Sequence, residues 1–180
     1  AVNCRLLVRA AACLLLVLGA PPFQASVEPS PAVAAAGGPE SGAAEGVAGS
    51  VRWQAWGADA LLRARREGKP IFLSVGYPAC HWCEAMDQEV FADSAVAGLL
   101  NAAFVSIRVD REIRPDVDRI YMTATQLLCG QAGWPNSVFL TPDLQPFYAG
   151  THFPLHDTID ERGFATVLNE MLDAWNLRRA

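Results

Sequence analysis

The sequence holds no long basic run. Lys and Arg number 14 against 19 Asp and Glu, the net charge is −5, and no stripe interleaves basic and aromatic side chains. The electrostatic footprint of a nucleic-acid-binding surface is therefore missing. No stretch reaches the roughly 18 consecutive apolar residues that a membrane-crossing helix needs, so no stable membrane span is expected. No internal repeat occurs. Histidine is scarce, with only His81, His152 and His156, whereas a structural zinc site takes about four ligands. Aromatic residues are absent from residues 26–50, SVEPSPAVAAAGGPESGAAEGVAGS. Such a segment has little to bury and reads as a flexible linker.

What is present begins with Arg5 and Arg9, ahead of a short apolar run over residues 10–20, AAACLLLVLGA, with small residues at Gly19, Ala20 and Ala25. Those are the three parts of an export signal, in order. The pattern predicts a signal peptide over 1–25, the linker over 26–50 and one domain over 51–180, in a periplasmic or secreted protein. The alternative is a cytoplasmic protein whose N-terminus is not a working signal. Of the five cysteines, Cys4 and Cys13 would leave with the signal, and Cys80, Cys83 and Cys129 would stay. An odd count with one close pair suits a working dithiol plus a spare better than a disulfide-stapled scaffold.

The domain carries five tryptophans to anchor a core. Hydrophobic spacing predicts a helix over 58–69, a buried strand over 70–75, a helix over 81–91 and another over 93–103 capped by Asp93 or Ser94. A strand over 104–110 follows, then a helix over 115–130 that opens on Pro115 and closes on Gly130. Strands over 136–142 and 145–153 form a hairpin, and a helix over 160–180 ends the chain. This order predicts an α/β fold: a central mixed sheet flanked by helices, with a C-terminal β-hairpin and a final helix.

The stretch SVGYPACHWCEAM, residues 74–86, carries the chemistry. Its cysteines sit where a buried strand gives way to a helix. Cys80 is then near the helix N-terminus, where unpaired N–H groups and the helix dipole stabilise a thiolate. The thiolate attacks disulfides, so Cys80 reads as the nucleophile. Cys83, one turn later on the same face, is expected to lie shielded under Cys80 and to resolve the mixed disulfide. His81 adds positive charge beside Cys80. Trp82, on the exposed first turn, is a candidate substrate-facing platform, and Tyr77 and Pro78 shape the approach. Two other readings stand beside this one: half of a zinc site completed by His152 and His156, and an inert disulfide, whose tiny loop adds little stability. Trp134–Pro135 precedes a strand. A cis bond there would face the Trp134 backbone towards the dithiol and a substrate segment, whereas a trans proline would merely end a loop. The charged run VDREIRPDVD, residues 109–118, reads as a solvated strand-to-helix turn, and Cys129 as a buried, inert thiol.

The segments KPIFLSVGYPACHWCEAM, FVSIRVDREIRPDVDRIYMTATQ and GQAGWPNSVFLTPDLQPFYAGTHFP, with the lead-in WQAW, resemble the thioredoxin-like domain of the spermatogenesis-associated, CHWC-containing family. The resemblance runs from about Val51 to the end. It implies a thioredoxin fold, Cys80 and Cys83 as the dithiol, and Trp134–Pro135 at the cis-proline position against the cysteines. Three positions depart from the family pattern. Glu84 stands where His usually follows the second cysteine. His152 replaces the Tyr of GTYFP. Ser74 occupies the position, six before the first cysteine, where thioredoxins carry a buried acid, and Glu84 and Asp87 are the candidates to replace that acid. The family's long C-terminal helical domain has no counterpart within these 180 residues. The expected function is a thiol–disulfide oxidoreductase without cofactor or metal, acting on protein or small-thiol disulfides together with a redox partner. Its alternatives are a non-catalytic interaction or redox-sensing module of the same fold and, further off, a zinc-binding domain.

Overall fold

The computed structural model describes residues 50–179. The expected signal peptide, and all of the expected linker but Ser50, lie outside the described residues. Ten elements follow in order: β1 (Gln54–Ala55), α1 (Ala58–Glu67), β2 (Ile71–Gly76), α2 (His81–Glu89), α3 (Ser94–Ala103), β3 (Val105–Asp110), α4 (Pro115–Cys129), β4 (Asn136–Leu140), β5 (Pro146–Gly150) and α5 (Phe164–Arg179).

The five strands form one sheet in the order β1-β3-β2-β4-β5. β1 and β2 run parallel to β3, while β4 is antiparallel to both β2 and β5. The expected α/β class, mixed sheet, terminal hairpin and final helix are all present. Alternation along β2 assigns its two faces. Ile71, Leu73 and Val75 pack with Ala60 and Ala64 of α1 and Val117 and Tyr121 of α4. Phe72 packs on the other face with Met86 of α2, Leu100 of α3 and Leu168 of α5. Phe72, Phe139 and Phe164 are fully buried and in mutual ring contact.

Several boundaries differ from the sequence expectation. α1 stops at Glu67 because Gly68 takes the left-handed conformation (φ 62°) and donates to Ala64 and Arg65 carbonyls. α3 is capped by Asp93, whose carboxylate accepts from the N–H of Ala95 and Val96. α5 starts at Phe164, four residues later than expected, because Asp157 accepts from the Gly163 N–H and the Thr166 hydroxyl, which holds 157–163 as a loop. β1 was not expected. It is two residues long and exists through its pairing of Gln54 with Ile107 and Ala55 with Arg108.

The sheet face under α2 changes character towards the site. Phe72 is followed on that face by Ser74 and Gly76, whose β3 partners are Arg108 and Asp110, and Ser74 pairs with Ser137 of β4. Small and polar side chains there leave room beneath the start of α2.

Candidate functional site

Cys80 is the N-cap of α2. Its extended backbone (φ −86°, ψ 103°) and its sulfur, which accepts from the Cys83 N–H at 3.2 Å, begin the helix where the sequence placed it. The Cys80 carbonyl accepts from the Cys83 and Glu84 N–H groups at 3.0 Å each. Cys80 and Cys83 form a disulfide, with S–S 2.06 Å and Cα–Cα 5.2 Å. Gly76 lets this turn sit so close to β2, since a Cβ at residue 76 would lie 2.9 Å from the Cys83 sulfur.

One expectation is corrected. Cys83 was to be the shielded member of the pair, yet Cys80 is 5 % exposed and Cys83 is the half-buried one. The cause is the small residues beneath: Ser74 and Gly76 do not fill the space under α2, and a cavity of ≈ 220 Å³ opens there against Cys83. Besides Cys83, its lining includes Ser74, Asp87, Arg108, Asp110 and Pro135.

Aromatic side chains stand on both sides of the disulfide. Trp82 is 57 % exposed and meets His81 and His152 edge-on, with centroids 5.4 and 5.1 Å away. Burial pushes the His152 imidazole below its ordinary range, against a weaker opposite pull from Glu161 and Glu89. On the other side Tyr77 meets Trp134 edge-on at 5.8 Å, and the Arg111 guanidinium lies 3.9 Å over the Trp134 ring. The Trp134 indole N–H donates to Asp118 at 2.8 Å. The Trp134–Pro135 peptide bond is cis, and Pro135 is buried beside the cavity.

The structure thus gathers Cys80, Cys83, His81, Trp82, Tyr77, Trp134 and Pro135 around one helix terminus. Two residues that sequence reasoning assigned to a solvated turn, Arg111 and Asp118, belong to this site as the clamp on Trp134. No local signal marks them, because the contact spans some sixteen residues or more and depends on the turn before β4. Cys129, expected to be buried, is half-buried and packs against the opposite layer, where its thiol donates to the Ala149 carbonyl at 3.2 Å. His156 is exposed. Among the described residues no group of three or more His, Cys, Asp or Glu side chains is placed to hold a metal ion, and no helix is long and apolar enough to cross a membrane.

A five-stranded mixed sheet with a Cys-X-X-Cys disulfide at the N-cap of the first helix after β2, facing a cis-proline turn, defines a thioredoxin-fold domain. The chain belongs to the Thioredox_DsbH family, described as a protein of unknown function, DUF255, which matches residues 44–180. It is 52% identical over 125 residues to spermatogenesis-associated protein 20 of Rattus norvegicus, covering 69% of this chain and 16% of that protein. The Homo sapiens protein of the same name is 51% identical over 125 residues, with the same coverage of 69% and 16%. The chain thus spans about one sixth of the length of these curated relatives. Among solved structures, one titled DsbH Oxidoreductase superposes with a TM-score of 0.52 at 18% identity, covering 73% of this chain and 88% of that one. That likeness shows the fold. Fold and cysteine pair together are consistent with redox function.

Proposed function

We propose that the domain is a thiol–disulfide oxidoreductase in which Cys80 attacks and Cys83 resolves. The observation that carries this reading is the N–H of Cys83 directed at the Cys80 sulfur at the start of α2. Accessibility and ionisation point in opposite directions here, since Cys83 is the more exposed residue. Ionisation decides, because the thiolate is the attacking species and only Cys80 holds a cap position whose donor and helix dipole stabilise it.

The cycle balances as follows. The Cys80 thiolate attacks one sulfur of a substrate disulfide, that S–S bond breaks, and the other substrate sulfur leaves as a thiolate. Cys83 loses its proton and attacks the Cys80 sulfur. The mixed disulfide breaks, the second substrate thiolate leaves, and the Cys80–Cys83 disulfide remains. Two electrons have passed to the substrate, and a dithiol partner returns them. The same steps reversed oxidise a substrate dithiol. Protein disulfides are the proposed substrates, because the exposed Trp82 face and the Pro135 turn flank the sulfurs as surfaces for an extended segment. His81 lies next to Cys80 at the same helix terminus and is assigned to favour its thiolate. Periplasmic or secreted placement belongs to the same proposal and rests on the pattern of residues 1–25.

One observation favours the second reading, a non-catalytic interaction or redox-sensing module: the 5 % exposure of Cys80. Turnover separates the two. With a small dithiol as electron donor, the protein should reduce many equivalents of a peptide disulfide, and a Cys80→Ser, Cys83→Ser double variant should do so no faster than the donor alone. Equal rates would leave the module.

A further inference from the structure

A resolving thiol must give up its proton before it can attack, and Cys83 has no basic group on the strand beneath it. The β2 residue against its sulfur is Gly76, and Ser74, the other β2 residue lining the cavity, is 6 % exposed and carries a hydroxyl that accepts no proton at neutral pH. The cavity offers an acceptor a route to Cys83, and its lining includes two carboxylates, Asp87 and Asp110. Asp110 lies on β3 opposite Gly76 and is turned into the following loop, where it accepts from the Glu112 N–H at 2.8 Å. Glu84, the other acid near the pair in sequence, is exposed, outside the cavity lining, and accepts from Gln88 on the outer face of α2 at 3.0 Å.

Asp87 is different. It lies four residues after Cys83 on α2, so the two side chains are neighbours on one helix face, and both line the cavity. Its carboxylate is held at both oxygens by Arg108, with Nη1 to Oδ2 at 3.2 Å and Nη2 to Oδ1. Arg108 is itself fixed, its guanidinium 4.2 Å over the Trp53 ring and 5.6 Å from the Phe91 ring. A surface ion pair seldom has such supports. The cavity is also large enough for a water molecule to bridge carboxylate and thiol.

We infer that Asp87 is the proton acceptor for Cys83, with Arg108 as the residue that positions it. In the resolving step the Cys83 S–H bond breaks and its proton passes to a carboxylate oxygen of Asp87, directly or through one water. The sulfur electron pair forms the bond to Cys80, and the substrate thiolate leaves. Asp87 then returns the proton to solvent through the open side of the cavity. In the reverse direction Asp87 protonates Cys83 as its disulfide to Cys80 opens. This rests on the proposed function, since it assigns the resolving role to Cys83.

The test is stopped-flow oxidation of the reduced protein by an aryl disulfide whose released thiolate absorbs visible light, in a Cys129→Ser background. The first equivalent reports attack by Cys80, the second resolution by Cys83. Asp87→Asn should leave the first phase within about twofold of the parent. It should slow the second by on the order of 100-fold at neutral pH, the size of a lost general base. The second phase of the variant should also rise about tenfold per pH unit below the thiol pKa, as expected when thiolate must pre-form, whereas the parent's stays nearly flat. Asp87→Glu should restore most of the rate. A second phase equal to the parent's, or slowed by one constant factor at every pH, would overturn the inference. A missing first phase would overturn the dithiol mechanism and this assignment with it.

Discussion

The backbone N–H of Cys83 points at the sulfur of Cys80 across 3.2 Å. This contact marks one cysteine of the pair as the anion site of α2. In the reduced protein it acts with the helix dipole on a Cys80 thiolate, against the desolvation of a nearly buried sulfur.

Cys80 should therefore titrate below the value of about 8.5 for a free cysteine. Thiolate absorbance followed against pH in a Cys83→Ala, Cys129→Ser background isolates it, and His81→Ala should move the transition upwards. A midpoint at or above the free value would show that burial dominates.

Gly76→Ala should strain the turn. The new Cβ would lie 2.9 Å from a Cys83 sulfur that the disulfide holds in place. Overpacking of this kind costs about 1–3 kcal/mol. The oxidised variant should melt several degrees lower than the parent, and the loss should be smaller after reduction, when the Cys83 side chain can turn away. Calorimetry of both forms checks it.

Trp134→Phe should expose the cost of the clamp. Phe keeps a ring beside Tyr77 and Arg111 but removes the N–H that serves Asp118, a side chain only 9% exposed. An unsatisfied buried acceptor costs about 1–3 kcal/mol. Urea unfolding should show that loss, and Asp118→Asn, which keeps an acceptor for the indole, should lose less.

Much of this fold was legible because its signals are local. The strand-to-helix switch at residues 71–81, Pro115 and Gly130 at the ends of α4, and the turn between β4 and β5 are marked by periodicity and by residues with restricted backbones. The site was legible in its sulfurs and aromatics for the same reason. Contacts made by the assembled sheet were not. β1 is too short to carry a pattern. The clamp of Arg111 and Asp118 on Trp134 depends on a turn outside that charged run. The inverted exposure of the two cysteines follows from the gap that Ser74 and Gly76 leave beneath α2, which no spacing within SVGYPACHWCEAM reveals.

Acid should destabilise the fold over a defined window. Hydrogen bonds from Arg63 and Lys69 lower Glu67 to about 2 from an ordinary 4.5, and Arg114 lowers Asp116 to about 2 from 3.8. The Gly163 N–H and Thr166 hydroxyl lower Asp157 too. Each folded-state value lies below its unfolded one. The stabilisation is therefore complete above the unfolded values near 4 and is lost as pH falls towards 2. All three groups are exposed, so solvent and salt screen the effect. Urea midpoints should decline from about pH 4.5 to 2, and Asp157→Asn should flatten part of that decline.

The claim on which the mechanism stands is that Cys80 attacks and Cys83 resolves. Trapping of mixed disulfides measures it most directly: Cys83→Ala and Cys80→Ala proteins, each reduced and also carrying Cys129→Ser, are mixed with a disulfide-bonded protein substrate and resolved without reductant. The Cys83→Ala protein should accumulate a covalent adduct at Cys80, close to one per chain, while the Cys80→Ala protein accumulates little. Adducts formed mainly at Cys83 in the Cys80→Ala protein, as its greater exposure alone would dictate, would contradict the account.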